Sequence, residues 1–122
     1  MSSITEIYMK ISEISEIIDG RIVCGEKYSE KVVKFAFTSD LMSEVLTLNN
    51  EKLLLITGLN NLQTIRTAEM TDIRYIVLGN DKKVSPAMIE LALDNKILII
   101  ESPYSVYKIC GLLYKAGLQP IL

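Results

Sequence analysis

The chain has 122 residues, the length of one domain, and its 49% apolar and 23% charged residues are typical of a folded chain with a core. The formal net charge of −2 is divided between both signs along the chain, which excludes a basic surface for nucleic acid or a membrane. Histidine is absent, which excludes His-based acid–base catalysis, Ser-His-Asp and Cys-His nucleophile pairs and most zinc sites. We therefore predict no metal and no cofactor.

Targeting signals are missing from the sequence. No apolar run approaches the ~20 residues of a membrane span, and Met1–Lys10 lacks the basic-then-apolar order of a signal peptide. We therefore expect a cytoplasmic protein, in which Cys24 and Cys110 are free, buried thiols. Neither Gly-x-x-x-x-Gly-Lys-Ser/Thr nor Gly-x-Gly-x-x-Gly occurs, so there is no standard phosphate-binding loop.

The first 20 residues have isoleucines at helical spacing with polar residues between them. This pattern predicts an amphipathic helix from Ile4 to Ile18. Ser2 or Ser3 would cap its start, and Asp19-Gly20 would end it.

Residues 31–118 have the rhythm of β-α units. Val32–Phe37 is rich in β-branched and aromatic residues and predicts a strand. Three apolar runs follow at Leu53–Ile56, Tyr75–Leu78 and Ile97–Ile100, and their starts are 22 residues apart from one run to the next. Their apolar residues are continuous rather than alternating, as in parallel strands buried on both faces.

Helical patterns separate these strands. Thr38-Ser39-Asp40 predicts the cap of a helix over Leu41–Leu48, and two further patterns begin near Leu62 and at Ser85-Pro86. A last helix is predicted from Pro103 to Ala116, with Ser102 as its cap and Gly117 after its end. The tail Gln119–Leu122 is expected to add a short edge strand or contact. The whole pattern predicts a single three-layer α/β domain with a mostly parallel sheet of four to five strands and flanking helices.

Open parallel sheets bind ligands beyond the carboxyl ends of their strands. Small and polar residues collect at those ends here, and each end precedes a helix whose first amides are free to bind an anion. The same residue types are also required by turns and caps, which explains any single loop equally well. The candidate ligand residues are Thr57, Gly58, Asn60, Asn61, Gly79, Asn80, Ser102 and Tyr104.

Three carboxylates lie at the same strand ends, at Asp40, Asp81 and Glu101. They are the right groups for acid–base catalysis or a magnesium ion, although helix capping and solvation account for them as well. A phospho-receiver needs a carboxylate cluster after its first strand and a lysine after its last, and only parts of that pattern occur.

Several segments together resemble the DRTGG domain family. Asp19–Gly25 looks like the start of that domain, and Asp40–Leu46 looks like its Asp-Leu-Leu-Ser-Asp-Val-Met segment. Leu55–Gly58 looks like its second strand and turn, and Glu101–Tyr107 is similar to its Pro-Tyr-Asp-Thr-Tyr/Phe helix start. The ordered segments span nearly the whole chain.

The resemblance implies a parallel α/β fold similar to the N-terminal domain of bifunctional HPr kinase/phosphorylase, whose catalytic phosphate loop lies in a separate domain. It also implies a regulatory role, because such domains accompany CBS domains, pyrophosphatases and phosphotransacetylases and sit at dimer interfaces. The naming Asp-Arg pair falls at about Asn60-Asn61, and the Thr-Gly-Gly falls at about Gly79-Asn80-Asp81. The chain therefore departs from the family at its naming residues.

We predict a non-catalytic regulatory domain, homodimeric, with a small-anion or nucleotide site at the strand ends. The alternative is an interaction subunit that docks on a larger metabolic enzyme. A third hypothesis is a small magnesium-dependent enzyme that uses the strand-end carboxylates.

Overall fold

The computed structural model describes residues 8–48, 50 and 52–122. Within these residues the chain forms eight strands and five α-helices. The strands are Met9–Lys10 (β1), Arg21–Cys24 (β2), Val32–Val33 (β3), Phe35–Thr38 (β4), Leu53–Thr57 (β5), Tyr75–Leu78 (β6), Leu98–Glu101 (β7) and Gln119–Pro120 (β8). The helices are Ile11–Ile17 (α1), Met42–Val45 (α2), Leu62–Met70 (α3), Pro86–Asp94 (α4) and Val106–Lys115 (α5).

The main sheet has six strands in the order β2-β7-β6-β5-β4-β8. Strands β4 to β7 and β8 run parallel, and β2 alone is antiparallel to its neighbour. The predicted mostly parallel α/β sheet is confirmed. It is larger than the four to five strands expected, because β2 extends one edge and the tail extends the other as the short strand β8.

Helices cover both faces of the sheet, as the three-layer prediction required. Alternate residues of each central strand point to opposite faces. On one face Leu53, Leu55 and Ile76 belong to the buried cluster that includes α2, α3 and α4. On the other face Leu54 and Val77 belong to the cluster that includes α1 and α5. All five of these side chains are fully buried, and burial of each contributes about 1.5–3 kcal/mol to folding.

The N-terminal helix differs from the prediction in its start. Met9–Lys10 forms β1 and pairs antiparallel with Val32–Val33, so α1 begins at Ile11. The Glu13 carboxylate accepts the backbone N–H of Lys10 at 3.0 Å, which fixes the first turn there. The predicted start at Ile4 and the Ser2 or Ser3 cap lie outside the described residues. The predicted end is confirmed, since Asp19 takes a positive φ of 52° after the helix.

The predicted strand Val32–Phe37 is two strands in two sheets. The backbone N–H groups of Lys34 and Phe35 both donate to the carbonyl of Lys52, at 2.8 and 3.3 Å, where the chain passes from β3 to β4. The helix expected over Leu41–Leu48 is confined to Met42–Val45. The cap position of this helix is Leu41, which makes no side-chain capping hydrogen bond. The prediction that Thr38-Ser39-Asp40 caps the helix is therefore wrong.

The predicted start is correct for α4 and wrong for α5. Ser85 caps α4 by accepting the Met88 N–H at 3.2 Å, with Pro86 at the first helical position as predicted. The last helix begins at Val106 rather than Pro103, because Ser105 accepts the Lys108 N–H at 3.1 Å. Gly117, with φ 109°, follows its end as expected. None of the helices in the described part of the chain is long and apolar enough to cross a membrane.

Candidate functional site

The carboxyl ends of β4 to β7 meet at one edge of the sheet. Their registers are parallel, with Thr38 opposite Ile56, Thr57 opposite Leu78, and Leu78 opposite Glu101. All eight predicted site residues therefore lie at or directly after this edge. Their polar groups form a network that ties the four loops to one another.

Asp40 connects the loop after β4 to the loop after β5. Its Oδ1 atom accepts the Thr57 hydroxyl at 2.8 Å and the Gly58 backbone N–H at 2.8 Å. Thr57 is fully buried and its hydroxyl oxygen accepts the Leu59 N–H at 3.1 Å. The carboxylate expected to cap α2 thus holds the neighbouring strand end instead.

Asn60 and Asn61 have separate structural tasks. The Asn61 side chain caps α3 by accepting the Thr64 N–H at 3.3 Å. Asn60 donates from its Nδ2 to the carbonyl of Lys83 at 2.9 Å. The loop after β5 is therefore fastened to the loop after β6, and both asparagines remain exposed.

Asn80 joins the loop after β6 to the start of α5. It has a left-handed φ of 60°, and its Oδ1 accepts the Val106 N–H at 2.9 Å. Its own N–H donates to the carbonyl of Tyr104 at 2.8 Å. A Cβ on Gly58 would lie 2.7 Å from Nδ2 of Asn80, so the glycine makes room for this side chain. Gly79 is buried, and its N–H donates to the Thr57 carbonyl at 2.9 Å.

Ser102 and Tyr104 complete the network on the α1 side. The buried Ser102 hydroxyl donates to the carbonyl of Ile18 at 2.6 Å and accepts the Tyr104 N–H at 3.2 Å. Ser102 therefore ties the edge to the end of α1. The prediction that it caps α5 is wrong, because Ser105 holds the cap position. The Lys108 ammonium lies 3.7 Å from the centroid of the half-buried Tyr104 ring, a cation–π contact.

The three strand-end carboxylates have different partners. Asp40 bonds to the β5 loop, and Asp81 lies 3.3 Å from the Lys83 ammonium. Glu101 is buried, and its Oε2 accepts the Val84 N–H at 2.8 Å. Among the described residues, no group of three or more His, Cys, Asp and Glu side chains is placed to hold a metal ion.

Two charged residues that the sequence reasoning did not select also stand at this edge. Arg21 begins β2 opposite Glu101, and Lys83 lies in the loop after β6, next to the same carboxylate. Lys82-Lys83 is a basic doublet in the sequence, and both residues are exposed in the loop. The antiparallel pairing of β2, which brings Arg21 to the edge, has no signature in its four residues.

Both cysteine thiols lie where burial disfavours the thiolate, which raises their pKa values. Burial raises the pKa of the Cys24 thiol, and its hydrogen bond to the backbone acts in the opposite direction with less effect. Burial likewise raises the pKa of the Cys110 thiol, against a hydrogen bond with Thr38. Both are free, as predicted, with Cys24 buried and Cys110 half-buried. Cys110 borders an apolar cavity of about 380 Å³ between α5, β4 and the tail.

A comparison with protein-family models decides the family. The model described as the DRTGG domain matches residues 13–116. The chain belongs to the DRTGG domain family. The match includes the segments that resemble the family and begin at Asp19, Asp40 and Glu101. A comparison with curated proteins gave no match.

A solved structure has the same DRTGG fold. It is the crystal structure of the CBS and DRTGG domains of the regulatory region of Clostridium perfringens pyrophosphatase, complexed with its activator diadenosine tetraphosphate. The TM-score is 0.69 at 15% sequence identity, over 88% of this chain and 46% of that chain. The present DRTGG domain thus spans just under half of that regulatory region, and at this identity the likeness concerns the fold.

Proposed function

We propose that this DRTGG domain is a non-catalytic regulatory module that senses a small anionic ligand or nucleotide at the carboxyl edge of its sheet. We further propose that it acts as a homodimer in the cytoplasm. Support comes from the family, whose member in C. perfringens pyrophosphatase belongs to a regulatory region complexed with a nucleotide activator. Diadenosine tetraphosphate is the activator of that pyrophosphatase region, and for the present chain it serves only to choose the probes.

The observation that carries the proposal is the hydrogen-bond network between the strand-end loops. Asp40 joins the first two loops, Asn60 joins the next pair, and Asn80 reaches from its loop to the first turn of α5. A ligand that displaces one of these loops therefore acts on its neighbours and on the N-terminus of α5. A sensing domain requires this kind of coupling between a binding surface and a helix that can report binding.

Isothermal titration calorimetry tests the ligand half of the proposal. The intact chain is titrated with diadenosine tetraphosphate, ATP, AMP and inorganic pyrophosphate in separate experiments. We expect saturable binding of at least one probe, and weaker binding in Gly58→Ala and Asn80→Ala, which disturb the contact between two loops. Gly111→Ala is the control, because a Cβ there meets no atom within 4 Å. The absence of binding to every probe would remove the sensing function.

A second candidate function, docking on a larger enzyme, is favoured by exposed apolar side chains. Tyr107 and Tyr114 on α5 are 90% and 67% exposed, and Met70 at the end of α3 is 71% exposed. Light scattering separates the possibilities: a dimeric mass supports self-association. A monomer that binds no probe and is retained by a partner enzyme would favour docking over sensing.

A further inference from the structure

The strand-end edge finishes in a corner where β2 meets β7. Arg21 is the first residue of β2 and is paired with Glu101, the last residue of β7. Lys83 reaches the same carboxylate from the loop after β6. That loop is held in place by the Asn60 side chain on the Lys83 carbonyl, at 2.9 Å, and by the Asp81 N–H on the Ser102 carbonyl, at 3.2 Å.

The contacts of Glu101 are unequal. Its side chain is only 5% exposed, and Oε2 is engaged by the Val84 N–H at 2.8 Å. Its Oε1 lies 3.4 Å from Nη2 of Arg21 and 3.9 Å from Nζ of Lys83. Both distances exceed the roughly 2.7–2.9 Å of a strong charge-assisted hydrogen bond. Glu101 is therefore fixed by the backbone and holds its two cations loosely.

The two cations remain available to solvent. The side chains of Arg21 and Lys83 are 79% and 64% exposed, although each lies beside a buried carboxylate. Lys83 also has the exposed Asp81 carboxylate at 3.3 Å, an interaction that water and salt weaken. Because both nitrogens lie next to the same oxygen atom of Glu101, a single phosphate group can contact both.

A cavity of about 460 Å³ lies at this corner. Arg21, Lys83 and Glu101 give it charged walls, and Ile22, Val23 and Ile89 give it apolar walls. Small-molecule sites typically have volumes of about 300–1,000 Å³ and combine apolar walls with a few placed polar groups. The corner has this composition.

We propose that this corner is the phosphate subsite of the domain, with Arg21 and Lys83 as the cationic contacts of a nucleotide. The ligand's base or sugar packs on the wall formed by Ile22 and Ile89. The proposal rests on the sensing function above and gives it a location that the predicted residues do not include. Binding pulls Lys83 toward the ligand, and the loop after β6 carries this displacement to α5 through Asn80.

The test uses the same calorimetric titration with ATP and inorganic pyrophosphate on charge-neutral variants. Arg21→Gln and Lys83→Gln each remove one charged contact, and we expect at least about tenfold weaker binding of ATP by each. Glu101→Gln removes the competing negative charge and keeps an acceptor for the Val84 N–H. We expect it to bind about threefold to tenfold more tightly. Opposite signs for the cationic and anionic positions separate electrostatic binding from general damage to the fold.

Matched controls remove one positive charge elsewhere. Lys82→Gln changes the exposed neighbour of Lys83, and Arg66→Gln changes an exposed residue of α3. Both are expected to bind ATP within about twofold of the unmodified chain, since exposed charges farther from the ligand are screened by salt. Circular dichroism confirms that each variant is folded.

The outcomes distinguish this inference from the proposed function. If the unmodified chain binds ATP and the Arg21 and Lys83 variants bind it equally well, the corner is not the phosphate subsite and sensing still stands. If Gly58→Ala alone weakens binding in that case, the site belongs to the central loops. If the unmodified chain binds no probe, both proposals are wrong.

Discussion

The centre and the corner of the strand-end edge differ in how firmly their polar groups are held. At the centre, Asp40 accepts two hydrogen bonds of 2.8 Å and Asn80 accepts one of 2.9 Å. At the corner, Arg21 and Lys83 approach Glu101 at 3.4 and 3.9 Å. The residues that look most like ligand loops in the sequence thus have structural partners, and the loosely held charges lie beside them.

The difference follows from strand spacing and direction. Neighbouring strand ends lie about 4.8 Å apart, so the first backbone N–H groups beyond each parallel strand face the next loop and need acceptors there. Short side chains such as Asp40 and Asn80 supply those acceptors. At the corner β2 runs in the opposite direction and brings its first residue, a long arginine, to the edge. Its charged group extends into solvent rather than into the network.

The largest expected effect on stability comes from removing hydrogen bonds at the centre of the edge. Thr57→Val removes a buried hydroxyl that donates to Asp40 and accepts the Leu59 N–H. We expect a loss of about 2–3 kcal/mol in the free energy of unfolding, because both partners lose a bond and one is partly buried. Urea denaturation measures it. Thr47→Val is the matched control at an exposed threonine, with an expected change below about 0.5 kcal/mol. Equal losses in the two variants would refute the contrast.

A smaller loss of stability is expected from removing the Asn80 side chain, which connects the centre of the edge to α5. Asn80→Ala removes the acceptor of the Val106 N–H and leaves a Cβ residue at a φ of 60°. Loss of this hydrogen bond to the first turn of α5 costs about 1 kcal/mol, and the left-handed backbone adds about 1 kcal/mol for alanine. Asn80→Gly loses the hydrogen bond but tolerates the backbone, so it is expected to lose about half as much stability as Asn80→Ala. Identical urea midpoints for the two variants would show that the backbone conformation contributes nothing.

The same contrast explains what the sequence predicted well. The three central strands were placed within one residue, because continuous apolar runs of Leu, Ile and Val have no other stable location than a doubly covered sheet. Ser85-Pro86 likewise predicted the start of α4, because cap and proline act through the local backbone alone.

The predictions were wrong where a partner distant in the sequence determines the role of a side chain. Ser102 and Ser105 are both acceptable caps for α5, and only the position of the Ile18 carbonyl takes Ser102 out of that role. Asp40 looks like a cap for α2 until the β5 loop is placed beside it. The site proposed at the corner depends on the edge position and direction of β2, which four residues do not encode.

At the corner we expect little effect on stability from the substitutions that weaken ligand binding. Arg21→Gln and Lys83→Gln should each change the free energy of unfolding by less than about 0.5 kcal/mol. Both cations are exposed to solvent and lie 3.4 and 3.9 Å from Glu101, and the buried carboxylate keeps its bond to the Val84 N–H. Thermal unfolding without ligand measures this, with Lys82→Gln as the reference. A loss near that of Thr57→Val would mean that these cations are structural, and the corner would resemble the centre.

The smallest expected effect is a change in folding stability at alkaline pH. It comes from the cysteine thiols, which belong neither to the centre nor to the corner of the edge. Burial raises the pKa of the Cys24 thiol above its ordinary value of 9.0, so the folded chain keeps this proton to higher pH than the unfolded chain does. The stability that this difference gives is therefore complete below about pH 9 and is lost as the pH rises through the folded value. Between about pH 8 and about pH 10, Cys24→Ala should lose less stability than the unmodified chain, although it is less stable at pH 7. Urea denaturation across this range compares the two slopes, and Cys110→Ala should flatten in the same direction because burial raises its pKa too. Parallel slopes for all three chains would show that the thiols titrate alike in the folded and unfolded states.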